Sequence, residues 1–169
     1  MESDQVVGPS GRPSNDKRAI WSWAFYDFGN SAFTTLIVTF IYGVIFAQVI
    51  APDGDTGTAM WANAIAVTAI IVALSSPFLG AMADRGGHRR RYLLITTAIA
   101  IAGSALLYFP VPGQVWFALV VFVIANIAFE LSGVFYNAYL PDLTTPDNIG
   151  KISGYGWALG YLGGLIAMG

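Results

Sequence analysis

The chain alternates between long runs without charge and short clusters of charged residues. No Asp, Glu, Lys or Arg occurs at 28–52, 56–83 or 92–129, and a fourth such run covers 152–169. A helix crosses a hydrocarbon layer about 30 Å thick with about 20 mostly apolar residues, because each residue advances it by about 1.5 Å. The third run is long enough for nearly two crossings. It is broken by Pro110-Val111-Pro112-Gly113, a sequence that cannot continue a helix and reads as a tight turn. The pattern therefore predicts helices near 20–49, 59–83, 92–109 and 114–140, with a fifth starting near 152. Closed barrels also satisfy their backbone internally, but these runs lack the polar/apolar alternation of lipid-facing strands. Residues 1–18 are polar, carry Gly8, Pro9, Gly11 and Pro13, and read as a flexible tail. The first apolar segment starts near Ala19, is too long for a signal peptide and contains Asp27. Pro77 is expected to kink the second helix near its inner end.

Composition sharpens this picture. Hydrophobic types make up 56 % of the 169 residues and charged types 11 %. A soluble domain carries roughly 25 % charged residues, so this chain could not cover a water-facing surface. The absence of cysteine excludes a disulfide framework, a thiolate metal site and a cysteine nucleophile. One histidine leaves no histidine-based metal cluster and disfavours a Ser-His-Asp device. No cofactor is expected. The chain lacks a nucleotide-binding glycine loop with lysine, so nothing in it points to ATP-driven pumping.

The placement of charge predicts orientation. Arg12, Lys17 and Arg18 precede the first helix; Arg85, Arg89, Arg90 and Arg91 lie between helices two and three; Lys151 precedes the fifth. The intervening loops, 50–58 and 110–113, contain no basic residue. Five alternating spans place all three basic sites on one face, and the positive-inside rule makes that face cytoplasmic, with the N-terminus inside. In a bacterium this would be the inner membrane. The basic tract Arg89–Arg91 reads as a topology determinant or a lipid-headgroup contact, not as a nucleic-acid site. Trp21, Trp23, Tyr92, Tyr139 and Trp157 fall near the inner boundary, and Trp61, Tyr108 and Trp116 near the outer one, where aromatic rings anchor helices. The sequence stops at Gly169 inside an apolar helix, and the expectation is an incomplete copy of a longer protein.

Two carboxylates, Asp27 and Glu130, lie within the expected spans. A charge at mid-membrane costs at least about 2.5–3.5 kcal/mol, so such residues usually face a bundle interior or a wet cavity. Asp27 is about 10 Å beyond the inner end of its helix and Glu130 about 15 Å before the inner end of its own, so both belong to the inner half. Asp27, Asn30, Ser31 and Thr34 share one helical face; Asn126, Glu130, Gly133 and Asn137 share another. The bland reading is that these groups tie helices together by hydrogen bonds. The functional reading is a path for substrate or proton through Asp27, Asn30, Asn126, Glu130 and Asn137. Gly156, Gly160 and Gly164 recur every four residues, with Gly163 beside them, a spacing that lets helix backbones approach closely.

The segment GAMADRGGHRRR, Gly80 to Arg91, places a small residue, an acid four positions later, a base, a glycine and then several bases. With Gly80, Asp84, Arg85, Gly87 and Arg89 matching, it resembles the loop signature of the major facilitator superfamily, found there after the second span. The resemblance implies that this loop is a conformational latch between two transporter halves and does not touch the cargo. WAFYDFGNSAF (Trp23 to Phe33), FYNAYLPDL (Phe135 to Leu143) and ISGYGWALGYLGG (Ile152 to Gly164) resemble one branch of that superfamily, which includes fungal vacuolar amino-acid effluxers and bacterial relatives. The glycines of the fifth helix loosely resemble the antiporter motif of the superfamily, although Tyr161 stands where that motif has proline. The implied fold is an all-α membrane protein in which residues 19–169 form about five transmembrane helices, the N-terminal part of a major facilitator fold. Helices one and four would be matching members of inverted repeats lining the central path.

The leading expectation is a secondary active or facilitated transporter of small polar solutes, with amino acids as a candidate cargo and protons as a candidate coupling ion, working by alternating access. Membrane lipid and a missing C-terminal half of the same protein are the implied partners. A non-transporting scaffold or receptor on a carrier fold is the alternative. An intramembrane hydrolase is less favoured, because no cysteine or in-membrane histidine is available and the flanks of Asp27 and Glu130 do not resemble an aspartyl pair.

Overall fold

Every regular element among the described residues is helical. The computed structural model describes residues 16–169, apart from the side chains of residues 84–86. The tail expected over 1–18 therefore lies mostly outside the described residues. The first helix, α1 (Lys17–Ala32), begins earlier than expected, because the Asp16 carboxylate accepts a hydrogen bond from the Arg18 N–H and caps it. The chain continues through a π-helical stretch (Phe33–Phe40), a short α2 (Tyr42–Ile45) and a second π-helical stretch (Phe46–Ile50). The longer helices α3 (Gly54–Gly86), α4 (Arg89–Leu106) and α5 (Val115–Asn137) follow. A single-turn α6 (Leu140–Leu143) and then α7 (Ile149–Met168) complete the order.

Three of these segments, Lys17–Ile50, Gly54–Ala83 and Val115–Leu143, are long and apolar enough to cross a membrane by length and composition. That is fewer than the five anticipated. The 18 residues of α4 open with three arginines, and α7 carries six glycines among its 20 residues, so neither matches the apolar density of the other three.

The first apolar segment is not the uninterrupted helix that its hydropathy suggested. Ile41 N–H donates to Leu36 O at 3.1 Å and Ala51 N–H to Phe46 O at 2.9 Å, a five-residue spacing that marks a widened turn. The run Thr34-Thr35-Leu36-Ile37-Val38-Thr39 is rich in β-branched residues, whose side chains crowd the preceding turn of an α-helix. Hydropathy is blind to this because every residue of the run is compatible with lipid.

The described chain divides into two compact units, 16–35 with 136–169 and 36–135. In the second unit the core forms around Trp61. Its ring lies 3.8 Å from that of Phe122, 5.3 Å from Phe46 and 5.8 Å from Tyr42, centroid to centroid. Its indole N–H donates to Val38 O at 3.3 Å. Leu107, Val115, Ala118 and Leu119 close the cluster. Trp61 was expected at the outer interface and is instead 7 % exposed, because its ring turns inward over α5. On α4, a Cβ at Gly103 would lie 2.5 Å from Ala125 Cβ, so this glycine lets α4 and α5 touch. The expected turn at 110–113 is present. Gly113 adopts φ +88, and its N–H donates to Ile50 O at 3.0 Å.

Helix α3 continues through Pro77. Ser75 and Ser76 hydroxyls donate to Ile71 O and Val72 O at 2.7 and 2.6 Å in the turn before it. The helix starts five residues earlier than expected, because Asp53 caps it. The Asp53 carboxylate accepts the Thr56 N–H at 2.9 Å, and that bond holds its carboxyl below the usual carboxylate range. A lowered folded-state value means that the stabilisation is present above the ordinary pKa and is lost as pH falls through the folded value. Comparing Asp53→Ala with the parent by thermal melting, the deficit of the variant should be full at pH 7 and should shrink between pH 5 and pH 3.

Candidate functional site

In the first unit the site is built along the line where α1 meets α7. Four glycines of α7 decide its geometry, and each faces α1 directly. A Cβ at Gly163 would fall on the carbonyl oxygen of Phe28, so the two backbones are in direct contact there. A Cβ at Gly164 would lie 2.5 Å from Thr35 Oγ1. At Gly160 it would lie 2.5 Å from Asp27 Oδ2 and 2.9 Å from Ser31 Oγ. At Gly156 it would lie 2.7 Å from the Trp23 ring and 3.2 Å from the Tyr136 hydroxyl. The four-residue spacing read from the sequence is thus a close-packing face, and the side chains set against it are aromatic at one end and polar further along.

Asp27 is half-buried and lies over Gly160. Asn30 is half-buried, while Thr34 is exposed, so the polar stripe of α1 is divided between the seam and an open side. Three rings stack near the Gly156 end of the seam: Tyr136 pairs with Trp23, at 4.5 Å and 5° between planes, and with Tyr26, at 5.1 Å and 24°. The Trp23 indole N–H donates to Tyr136 O at 3.1 Å. Trp23 was expected at the interface and is 8 % exposed; its hydrogen bond and stacking partner draw it inward. Tyr136 was not anticipated. It is 7 % exposed, and its hydroxyl has no hydrogen-bond partner among the described residues. A tyrosine hydroxyl without a partner is uncommon in a packed interior. Asn137, next in sequence, is exposed.

In the second unit the polar face of α5 is not uniform. Asn126 is 3 % exposed, and its Oδ1 has no hydrogen-bond partner among the described residues. Glu130, one turn later, is exposed. The face therefore leaves the packed layer between these two positions. Thr68 on α3 is a second unpartnered buried hydroxyl, 1 % exposed, which the sequence did not single out. A threonine amid apolar residues gives no local signal of this kind.

Of the expected latch, the side chains of Asp84 and Arg85 lie outside the described residues. Gly80 is half-buried, with Val134 Cγ1 3.9 Å from its Cβ position. Gly87 ends α3 with φ +62, a left-handed conformation that favours glycine. His88 then starts α4, its carbonyl accepting the Arg91 and Tyr92 N–H groups at 2.9 and 3.1 Å. Arg89 is half-buried in the first turn of that helix. The spacing of the motif thus includes a helix stop and a helix start.

The seam makes a specific prediction about glycines of one helix. Gly163→Ala forces a methyl group against fixed backbone and should destabilise the protein by about 1–3 kcal/mol. Gly154, with open space at its Cβ position, should accept alanine with a gain of about 0.5–1 kcal/mol from helix propensity. Thermal melting of the two variants in detergent should move in opposite directions.

Comparison with known proteins agrees with the helical architecture. Residues 8–168 match the Major Facilitator Superfamily. The chain is 31 % identical over 149 residues to an uncharacterised MFS-type transporter, YxiO, of Bacillus subtilis (strain 168), a match covering 86 % of this chain and 35 % of that protein. It is 25 % identical over 150 residues to an uncharacterised protein of Aquifex aeolicus (strain VF5), covering 87 % and 36 % respectively. The chain thus spans about a third of the length of these relatives. No solved structure gives a significant match. Apolar helices of membrane-spanning length and a family match along nearly the whole sequence lead to one conclusion: this chain belongs to the major facilitator superfamily of integral membrane transporters.

Proposed function

We propose that the chain contributes the opening spans of a secondary transporter that moves small polar solutes, amino acids among them, by alternating access. In this reading α4 and α7 also cross the membrane, giving five spans with the N-terminus in the cytoplasm. The basic residues at the two ends of the α3–α4 junction and Lys151 in the first turn of α7 support that orientation. The remaining spans belong to a C-terminal part of the same protein, and the motifs at Trp23–Phe33, Phe135–Leu143 and Ile152–Gly164 resemble the branch containing the fungal vacuolar effluxers. Cargo or protons pass Asp27, Asn30 and Asn137 of the first unit and Asn126 and Glu130 of the second. Gly80, Asp84, Arg85, Gly87 and Arg89 form the latch that is made in one conformer and broken in another.

The observation that carries this reading is the half-buried carboxylate of Asp27 on a helix of membrane-spanning length, set against a glycine of α7. An acid is costly there unless it faces water, a partner or a solute. A purely structural acid would be expected to hold a hydrogen bond across the seam. Asp27 instead meets the one face of α7 that offers no side chain.

Reconstituting the full-length protein with Asp27→Asn or Glu130→Gln tests the path. Asp27→Asn should lower the rate of solute uptake by about tenfold or more, about 1.4 kcal/mol of lost transition-state stabilisation. Glu130→Gln should flatten the dependence of uptake on external pH. Unchanged rates and pH profiles in both variants would remove these carboxylates from the mechanism.

A further inference from the structure

We infer that the paired starts of α1 and α7 hold the phosphate of an anionic phospholipid, at a surface site separate from any path for cargo. The inference does not depend on the transport reading. It needs only an integral membrane protein in which α1 opens a segment of membrane-crossing length. The register of the two helices makes the site. Gly156 meets Trp23, Gly160 meets Asp27 and Gly164 meets Thr35, so α1 and α7 run in the same direction, turn against turn. Beside the first of these contacts Tyr155 stacks on Trp21, with ring centroids 6.0 Å apart and planes 7° apart. One turn earlier on each helix stands a lysine: Lys17 precedes Trp21 by four residues, and Lys151 precedes Tyr155 by four. Residues four apart share a helix face. Two lysines from two helices therefore stand at one level, on the same side of one ring pair.

The strip is open on its outer side. Lys17, Arg18, Lys151, Trp21, Phe25 and Tyr155 are all exposed, whereas Trp23 is buried in the seam. Two ammonium groups on adjacent helices repel, and each sits at the positive end of its helix dipole, where a cation is disfavoured. A phosphate between them removes both penalties. The exposed carboxylates nearest in sequence are Asp16, which accepts the Arg18 N–H, and Asp147, four residues before Lys151. Three exposed cations against these two leave the strip net positive among the described residues. The order along α1 matches a phospholipid lengthwise. Trp21 lies about 6 Å beyond Lys17 along the helix, and Phe25 about 12 Å. The polar layer on each side of the hydrocarbon is about 5–8 Å deep. The lysines thus stand at the level of the phosphate, the amphipathic Trp21–Tyr155 pair at that of the ester groups, and Phe25 at that of the acyl chains. The Trp21 and Phe25 ring centroids are 6.2 Å apart, which makes the aromatic surface continuous. A free phosphate would use the lysines and gain nothing from the rings, so the occupant is the lipid.

The test uses the full-length protein, purified in detergent and titrated with phosphatidylglycerol or with phosphatidylcholine of identical acyl chains. Bound lipid is counted by native mass spectrometry. Phosphatidylglycerol should bind about tenfold more tightly or better. Exchanging both lysines, Lys17→Gln with Lys151→Gln, should abolish that preference, and each single exchange should weaken it a few-fold. The single variants carry the same test where the double variant does not fold. Replacing both lysines by arginine keeps the charge and should keep the preference. Arg90→Gln removes one charge from another exposed basic site and should change the preference by less than about twofold. Equal binding of the two lipids, or an undiminished preference in the glutamine variants, would overturn the site. An equal loss in Arg90→Gln and in either single lysine variant would also overturn it, leaving only a general attraction of basic residues to anionic membranes. Inorganic phosphate that displaced phosphatidylglycerol at equal molar concentration would identify a free-anion site and sink the lipid assignment.

Discussion

Inside a bilayer a helix gains little by hiding apolar side chains from lipid, so spans are held together by how closely their backbones fit. The contact between α1 and α7 depends on that constraint. Gly163 brings its backbone against the Phe28 carbonyl, and with Gly156, Gly160 and Gly164 it keeps one face free of side chains for about two turns. Everything else in the first unit follows from this approach. With the backbones so close, α1 must put its bulk somewhere, and it does so in a stack of rings at one end and small polar side chains along the rest.

The second unit solves the same problem differently. Its centre is aromatic and aliphatic, with Trp61 against Phe122 and Phe46, and its close glycine contacts are dispersed, Gly57 against Ala47 and Gly103 against Ala125. Interlocking side chains gain dispersion energy from many contacts and resist sliding, because each ring fills a shaped space. A glycine face makes fewer such interlocks, so two smooth backbones can shift along each other at smaller cost. The polar groups of the two units differ accordingly. Asp27 and Ser31 border a smooth seam, while Thr68 and Asn126 are sealed in a packed layer with unpartnered atoms.

The legible part of the sequence was whatever depended on summed hydropathy or on local backbone chemistry. The charge-free runs located the long helices, and Pro110 to Gly113 located the turn, because Pro and Gly restrict or release the backbone wherever they stand. The glycine repeat of α7 was visible for the same reason. The π-helical stretches were not visible, since crowding by Thr34 to Thr39 changes hydrogen-bond spacing without changing polarity. Trp23 and Trp61 were misplaced because an aromatic near the end of a span has the same sequence signature whether it faces the interface or the core. Tyr136 was hidden altogether: its importance lies in a ring partner 113 residues away and in a hydroxyl without a bond, neither of which has a local signature. On α5, helical spacing put Asn126 and Glu130 on one face, but spacing cannot say where the neighbouring helix stops, and that boundary decides which of them is buried.

The polar face of α1 also shows why the two readings of an intramembrane acid are not exclusive. Asp27 helps define the seam by occupying the volume that a side chain at position 160 would take, so its position is structural. Yet close packing fixes only where the carboxylate sits, and the nearest basic residue in sequence, Arg18, is nine residues away. A group held rigidly in place but electrostatically incomplete has a free energy that depends strongly on what comes to it. By linkage, a proton or cation that bound such a group would favour whichever arrangement of the helices left it accessible. Tight glycine packing beside a carboxylate therefore ties the free energy of the acid to the fit of the two backbones.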